Sequence, residues 1–174
     1  MATRRGPQHA SHEALAARLR SAEQAESAAS RLGMQLGDNY WLLDLADVAE
    51  VIPIPEVLPV PLTQAWFAGV ANIRGNLISV VDFSAFLGGP AVEPGERSRL
   101  VLIADKHRIN SGLLFSRVIG LRQFDRFERE PDEAHQPSWV EGRYVDAELQ
   151  HWNALHMHAL VTHPDFLQVE IQFH

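Results

Sequence analysis

Residue types able to do chemistry are present, but few stand at the spacings chemistry requires. Nine histidines occur, and His151, His156, His158 and His163 crowd one stretch. On a strand, His156 and His158 would point to one side, where a metal could use both. A metal site needs three or four convergent ligands, and no HExxH pattern supplies them. These histidines therefore read as surface or packed side chains, and no metal is expected. Asp44, Asp47 and Glu50 also lie close together. Paired carboxylates do acid–base work only in a cleft that raises one pKa, so solvated charges near a strand end are the plainer reading. The chain has no cysteine, which excludes disulfides, thiolate zinc sites, iron–sulfur clusters and cysteine nucleophiles. GxxxxGKS/T, GxGxxG and GxSxG loops are absent as well. Phosphate cradling, dinucleotide binding and an acyl nucleophile thus lack their frameworks, and neither a cofactor nor a catalytic residue is expected.

The informative segment is 69–87, GVANIRGNLISVVDFSAFL. Here a small residue, an amide, an arginine and a glycine interrupt two apolar strands. Arg74 at a turn can reach sideways with five donors to hold a carboxylate. Glu50 is the candidate partner, because a strand ending near Ile52 would bring it beside that turn. Asn72 and Gly75 suit the turn itself, with Gly75-Asn76 taking the positive φ angles. An exposed Arg–Glu pair stabilises little, so its value would lie in fixing a surface. Trp41, Trp66, Trp139 and Trp152 read as core.

The elements that must position these residues are mostly short. Residues 1–10 read as an unstructured start. A helix is expected from Ser11 to about Ser30, with Ser11 as N-cap and Leu15, Leu19 and Ala22 on one stripe. A narrow stripe of this kind is expected to lie over its own domain, with a partner-binding helix as the alternative. Met34–Leu36 and Tyr40–Leu45 form a hairpin around Gly37-Asp38-Asn39, and a helical turn over Asp47–Glu50 leads into Val51-Ile52. Prolines at 53, 55, 59 and 61 exclude a central strand and predict an extended or edge segment. Thr63 is expected to cap a helical turn ending at Phe67.

Two strands follow over 69–76 and 77–83, then a helical turn over 84–87 and a Gly/Pro connector over 88–97. Further strands are expected at 99–104 and around 112–115, an exposed loop over 122–137, and a hairpin from 140–149 and 153–158. A short helix over 158–163, ended by Pro164, and a last strand over 166–173 complete the reading. Many short strands between turns indicate small barrels rather than a parallel sheet. The expected organisation is a start and helix over 1–30, a domain over 31–165 and a tail over 166–174. The domain has approximate halves at 31–90 and 97–165, with room for strands to be exchanged between them.

The chain has 174 residues, 46% hydrophobic and 21% charged, which suits a packed core. Fifteen basic against 22 acidic side chains give a net charge of −7, which argues against a broad basic face for nucleic acid. The Arg4-Arg5 pair is not followed by the apolar core of a secretory signal, and the apolar runs are too short to span a bilayer. A cytoplasmic protein without membrane insertion is expected.

Gly69-Val70-Ala71-Asn72-Ile73-Arg74-Gly75, followed by Asn76 to Phe83, resembles the core signature of the CheW-like domain. Asp47 to Ile52 resembles the family's segment before its Pro-rich stretch, and weaker similarity runs through Gly112–Ile119 and the closing hairpin. Ser79 stands where the family usually has proline. The surroundings of Trp66–Asn76 and the N-terminal helix resemble the branch serving type IV pilus twitching motility. The resemblance implies a mainly β fold of two five-stranded SH3-like barrels, with an N-terminal helix and short helical turns. It implies no enzyme activity. It implies an adaptor that joins the cytoplasmic tip of a methyl-accepting receptor to the regulatory domain of a CheA-type histidine kinase. One barrel would meet a kinase barrel end to end, and a groove between barrels would take the receptor's helical hairpin. By this analogy Glu50, Asn72, Arg74 and Gly75 organise the receptor-facing region, with Val70, Ile73 and Val80 as its apolar surroundings. Two competing readings stand beside it. One is an SH3-like module for another partner, nucleic acid or protein; the other is a small metal enzyme built on the late histidines. Filter binding at low salt and metal analysis separate them.

Overall fold

The computed structural model describes residues 8–172. What the sequence suggests for residues 1–7 and 173–174 lies outside them. Helix α1 (Gln8–Ala29) starts three residues before Ser11. Its alanines, leucines, arginines and glutamates favour the helix, but it does not lie over the domain as expected. Leu15 and Leu19 are 55% and 56% exposed, and among the helix's described side chains only Ala16 and Ala29 are half-buried. The Leu15–Leu19–Ala22 stripe is too narrow to bury much apolar area.

No loop separates α1 from strand β1 (Ser30–Leu36), which pairs with β2 (Asn39–Asp44) across the Gly37-Asp38 turn. Asp44 Oδ1 accepts the Ala46 N–H at 2.9 Å and caps a 3-10 turn over Leu45–Asp47. The expected helical turn therefore comes earlier, and β3 (Val48–Pro53) begins at once. It is an edge strand that ends on the first of the four prolines. Thr63 caps no helix: its Oγ1 donates back to Val60 O at 2.8 Å, and its backbone bridges Glu170.

β4 (Phe67–Ile73) and β5 (Asn76–Asp82) form the second hairpin, and α2 (Phe83–Phe86) follows. Asp82 is buried, yet its Oδ1 accepts the Ala85 N–H at 3.0 Å and its Oδ2 the Val92 N–H at 2.7 Å. A buried carboxylate needs such partners, and these tie the 88–97 connector to the core. β6 (Arg99–Ile103) and β7 (Ser111–Phe115) are near their expected places. β8 (Arg117–Gln123) is not in the sequence reading, because only Ser116 separates it from β7 and carries no turn signal. β9 (Glu128–Arg129) has two residues inside the expected loop. β10 (Val140–Val145) and β11 (His151–Leu155) make the closing hairpin. After α3 (Met157–Val161), Pro164 opens α4 (Pro164–Leu167) instead of merely ending a helix; proline at a first helical position loses no helical hydrogen bond. The tail is not a strand but an extended segment held by the Glu170–Thr63 bridge and an Ile171 N–H to Leu62 O bond of 3.1 Å.

The strands form two sheets, ordered β8-β1-β2-β11-β10-β9 and β3-β6-β7-β5-β4. The fold is thus mainly β, with an N-terminal helix and short helices, and β9 makes one sheet six-stranded. Each sheet draws strands from both sides of the 88–97 connector, so that connector separates sequence halves and not sheets. Four strand pairs cross the connector: β2–β11 and β5–β7 are parallel, and β1–β8 and β3–β6 antiparallel. One apolar cluster, including Met34, Trp41, Val80, Phe83, Leu100, Phe115 and Leu160, spans both sheets. Phe83 bridges the sheets, with its ring 5.0 Å from that of Trp41 in one and 5.6 Å from that of Phe115 in the other. Trp152 sits in a smaller cluster with Leu42, Tyr144 and Ala154, while Trp66 and Trp139 are half-buried against the main one.

Candidate functional site

The β4–β5 turn is built from its own residues. Asn72 Oδ1 accepts the Gly75 N–H at 2.9 Å. Arg74 and Gly75 have φ of 51° and 85°, two left-handed residues whose twist matches a hairpin. The positive angles thus fall one residue earlier than Gly75-Asn76, because Asn76 already belongs to β5.

Arg74 Nη2 donates to Glu50 Oε2, as the sequence suggested, and the two side chains are 66% and 44% exposed. Glu50 belongs to β3 and Arg74 to the turn beyond β4, the two strands at opposite ends of the five-stranded ladder. The ion pair joins edges that backbone hydrogen bonds leave open. Beside it lies a mouth of about 320 Å³, with Ile73, Ile78, Leu102 and Ile109 as apolar lining and Asp105 and Asn110 as polar lining. Ser79 also matters at this end of the sheet. Its N–H donates to Asn110 O at 2.9 Å, and Ser111 Oγ donates to its carbonyl at 3.2 Å. A proline there could not make the first bond.

Glu50, Asn72, Ile73, Arg74 and Gly75 therefore come together. The other two expected residues do not join them. Val80 has no exposed surface and belongs to the core, as strand alternation requires of some positions. Val70 lines a different groove, between the Pro-rich segment and the tail.

A second depression of about 420 Å³ lies where the two sheets meet, lined by Arg31, Asp44, Asp47, Lys106, His107 and His158 among others. The Asp105–His107 turn divides it from the mouth, giving Asp105 to one and Lys106 and His107 to the other. Asp47 Oδ1 is 2.8 Å from both Lys106 Nζ and His107 Nε2. Burial pushes the Asp47 carboxyl up, but these hydrogen bonds and positive charges outweigh it and hold the group below its ordinary value of 3.8. Arg31 donates to Asp44 Oδ2 at 3.1 Å, and its guanidinium lies 4.7 Å from the Phe124 ring centre. Each carboxylate of the acidic trio thus has its own basic partner or partners, and the three form no acid–base pair.

The late histidines have structural duties. His156 Nδ1 accepts from Ala159 N at the start of α3, and His163 Nδ1 from Asp165 N at the start of α4. His151 Nδ1 is 3.0 Å from Glu130 Oε2. Asp105, Lys106, His107, Ile109 and Asn110 line the two depressions without any local signal in the sequence. The β5–β7 parallel register, which sets Ser79 against Ser111, is what brings their loop to the Arg74 turn.

This geometry sits inside a recognisable domain: the CheW-like domain model matches residues 31–165. The chain belongs to the CheW-like domain family. This CheW-like chain is 31% identical to protein PilI of Pseudomonas aeruginosa over 161 residues, covering 90% of the chain and 89% of PilI. It is 33% identical to the chemotaxis protein CheW of Rhizobium meliloti over 87 residues, covering 50% of the chain and 56% of that protein. The structure of the scaffolding protein TtCheW from Thermoanaerobacter tengcongensis superposes with a TM-score of 0.65 at 20% identity, covering 79% of this chain and 95% of that one. That likeness speaks to the fold. Among the described residues, no helix of the CheW-like chain is long and apolar enough to cross a membrane.

Proposed function

We propose that the chain is a non-catalytic adaptor that couples a methyl-accepting receptor to a CheA-type histidine kinase. The observation that carries this reading is the family match over 31–165 together with an exposed Arg74–Glu50 pair inside its signature segment. Similarity to PilI over 90% of the chain supports a role in a type IV pilus chemosensory pathway that controls twitching. The adaptor would work in the cytoplasm, on receptor arrays at the membrane.

Coupling needs no reaction; it needs one body that holds two partners whose states then bias each other. The mouth beside Arg74 and the charged cleft across the Asp105–His107 turn form the face assigned to the receptor's helical tip. Apolar Ile73 and Ile109 would supply affinity, and Arg74, Asp105 and Lys106 would set register. The kinase regulatory domain would meet the end of a barrel. The deciding experiment is a pull-down against a purified receptor tip and a purified kinase regulatory domain, with wild type and Arg74→Ala in parallel. Wild type should retain both partners and the variant should lose one. Retention of neither by wild type, with both partners folded, overturns the adaptor reading.

A further inference from the structure

The mouth beside Arg74 has a fixed shape and one charge left over. Ile73, Ile78, Leu102 and Ile109 reach it from β4, β5, β6 and the loop after the Asp105–His107 turn, and all four are half-buried. Its lining carries two charged side chains, Arg74 and Asp105. Arg74 already donates to Glu50, and across the turn Lys106 is already held by Asp47. The Asp105 carboxylate is exposed and, among the described residues, has neither a cation nor a hydrogen-bond donor. Other aspartates serve the fold: Asp44, Asp82 and Asp146 accept backbone N–H groups. Asp105 does none of this, yet its place is fixed. Ala104 N–H donates to Asp47 O at 2.9 Å, Lys106 and His107 both reach Asp47 Oδ1 at 2.8 Å, and Asn110 O accepts the Ser79 N–H at 2.9 Å. Arg108 is unpaired as well, but it lines neither depression.

We propose that the receptor segment seated in this mouth presents an apolar side chain with a lysine or arginine beside it. The apolar side chain enters among the four aliphatic residues, and the basic one pairs with Asp105. This rests on the receptor assignment above and adds the chemistry of the partner to it. The reason is desolvation. A partner that covers the apolar lining strips water from Asp105 as well. A carboxylate buried without a partner is strongly unfavourable, so the segment that closes the mouth must bring a cation. Neutral and acidic segments are rejected, which makes Asp105 a specificity residue. The turn is held in place before docking, so little ordering is needed when the partner arrives.

Titration calorimetry of the full chain against the purified receptor tip and, separately, the purified kinase regulatory domain tests this. Asp105→Asn and Asp105→Lys change an exposed side chain, and circular dichroism checks that each variant stays folded. Asp105→Lys should bind the receptor tip roughly tenfold or more weakly, with its affinity for the kinase domain unmoved. Wild-type affinity for the tip should fall more steeply with salt than that of Asp105→Asn. Each exposed lysine and arginine of the tip is then changed to glutamate in turn. One such change should restore binding to Asp105→Lys while weakening binding to wild type. Equal binding of the tip by wild type and Asp105→Lys, or a loss that no change in the tip restores, overturns this inference and leaves the adaptor reading standing. A wild type that does not bind the tip overturns the receptor assignment and this inference together.

Discussion

Arg74 occupies a left-handed position that side chains avoid, with φ of 51°. The left-handed conformation costs roughly 1 kcal/mol for an ordinary residue, and an exposed ion pair returns little of it. Arginine is therefore a poor choice for the stability of this turn, which points to its guanidinium serving a partner. Two outcomes follow. Arg74→Ala should keep the fold and weaken partner binding by about 1–3 kcal/mol, as for an interfacial charged hydrogen bond; calorimetric titration measures this. Arg74→Asn creates the Asn-Gly pair this turn type favours. It should raise the melting temperature while still losing binding, and a lowered melting temperature would refute the strain argument. Asp47 makes a second residue-level test. Its carboxyl is held below its ordinary value of 3.8. The stability it adds is therefore present above that value and lost as pH falls through the lower folded value. In urea titrations the wild type should exceed Asp47→Asn most at neutral pH, and that gap should shrink below pH 3.8.

At the scale of elements, β5 is the strand on which the site depends. It lies between β4 and β7, and its parallel register with β7 sets the Asn110 loop against the Arg74 turn. Ser79→Pro removes the N–H that donates to Asn110 O and fixes φ away from strand values. Asn110 is exposed, so water can take the freed carbonyl. The expected cost is about 1 kcal/mol, one ordinary hydrogen bond. Chemical denaturation measures it, and a loss of several kcal/mol would mean that the whole β5–β7 register had shifted. Helix α1 stands at the other extreme: its described side chains are almost all exposed, so glutamates at Leu15 and Leu19 should leave the melting temperature of the sheets unchanged.

For the molecule as a whole, the decisive fact is that one apolar cluster spans both sheets. Strands exchanged across the connector make it impossible to unfold one sequence half and keep either sheet intact. Unfolding should then appear as a single calorimetric transition with matching calorimetric and van't Hoff enthalpies. Phe83 touches Trp41 of one sheet and Phe115 of the other. Phe83→Ala should cost about 3–5 kcal/mol and shift that single transition downward. Its splitting into two would contradict the shared core. The proposed adaptor role would benefit from such a body, because a joint core transmits displacement instead of absorbing it at a hinge.

The sequence by itself determined what local chemistry decides. The β1–β2, β4–β5 and β10–β11 hairpins were legible from their glycines and polar turn residues, the edge position of the Pro-rich segment from missing N–H groups, and the Glu50–Arg74 pair from the signature segment and the strand before it. β8 is not legible because one serine separates it from β7, and Pro164, a stop signal for the helix expected over 158–163, instead opens a second helix. Which of Val70, Ile73 and Val80 faces outward was equally closed to sequence. It depends on sheet order, and only the tertiary structure placed Val80 in the core and Val70 in a separate groove. Tertiary structure alone also brought Asp105, Ile109 and Asn110 beside the Arg74 turn, because parallel pairing between distant strands leaves no short-range pattern in the chain.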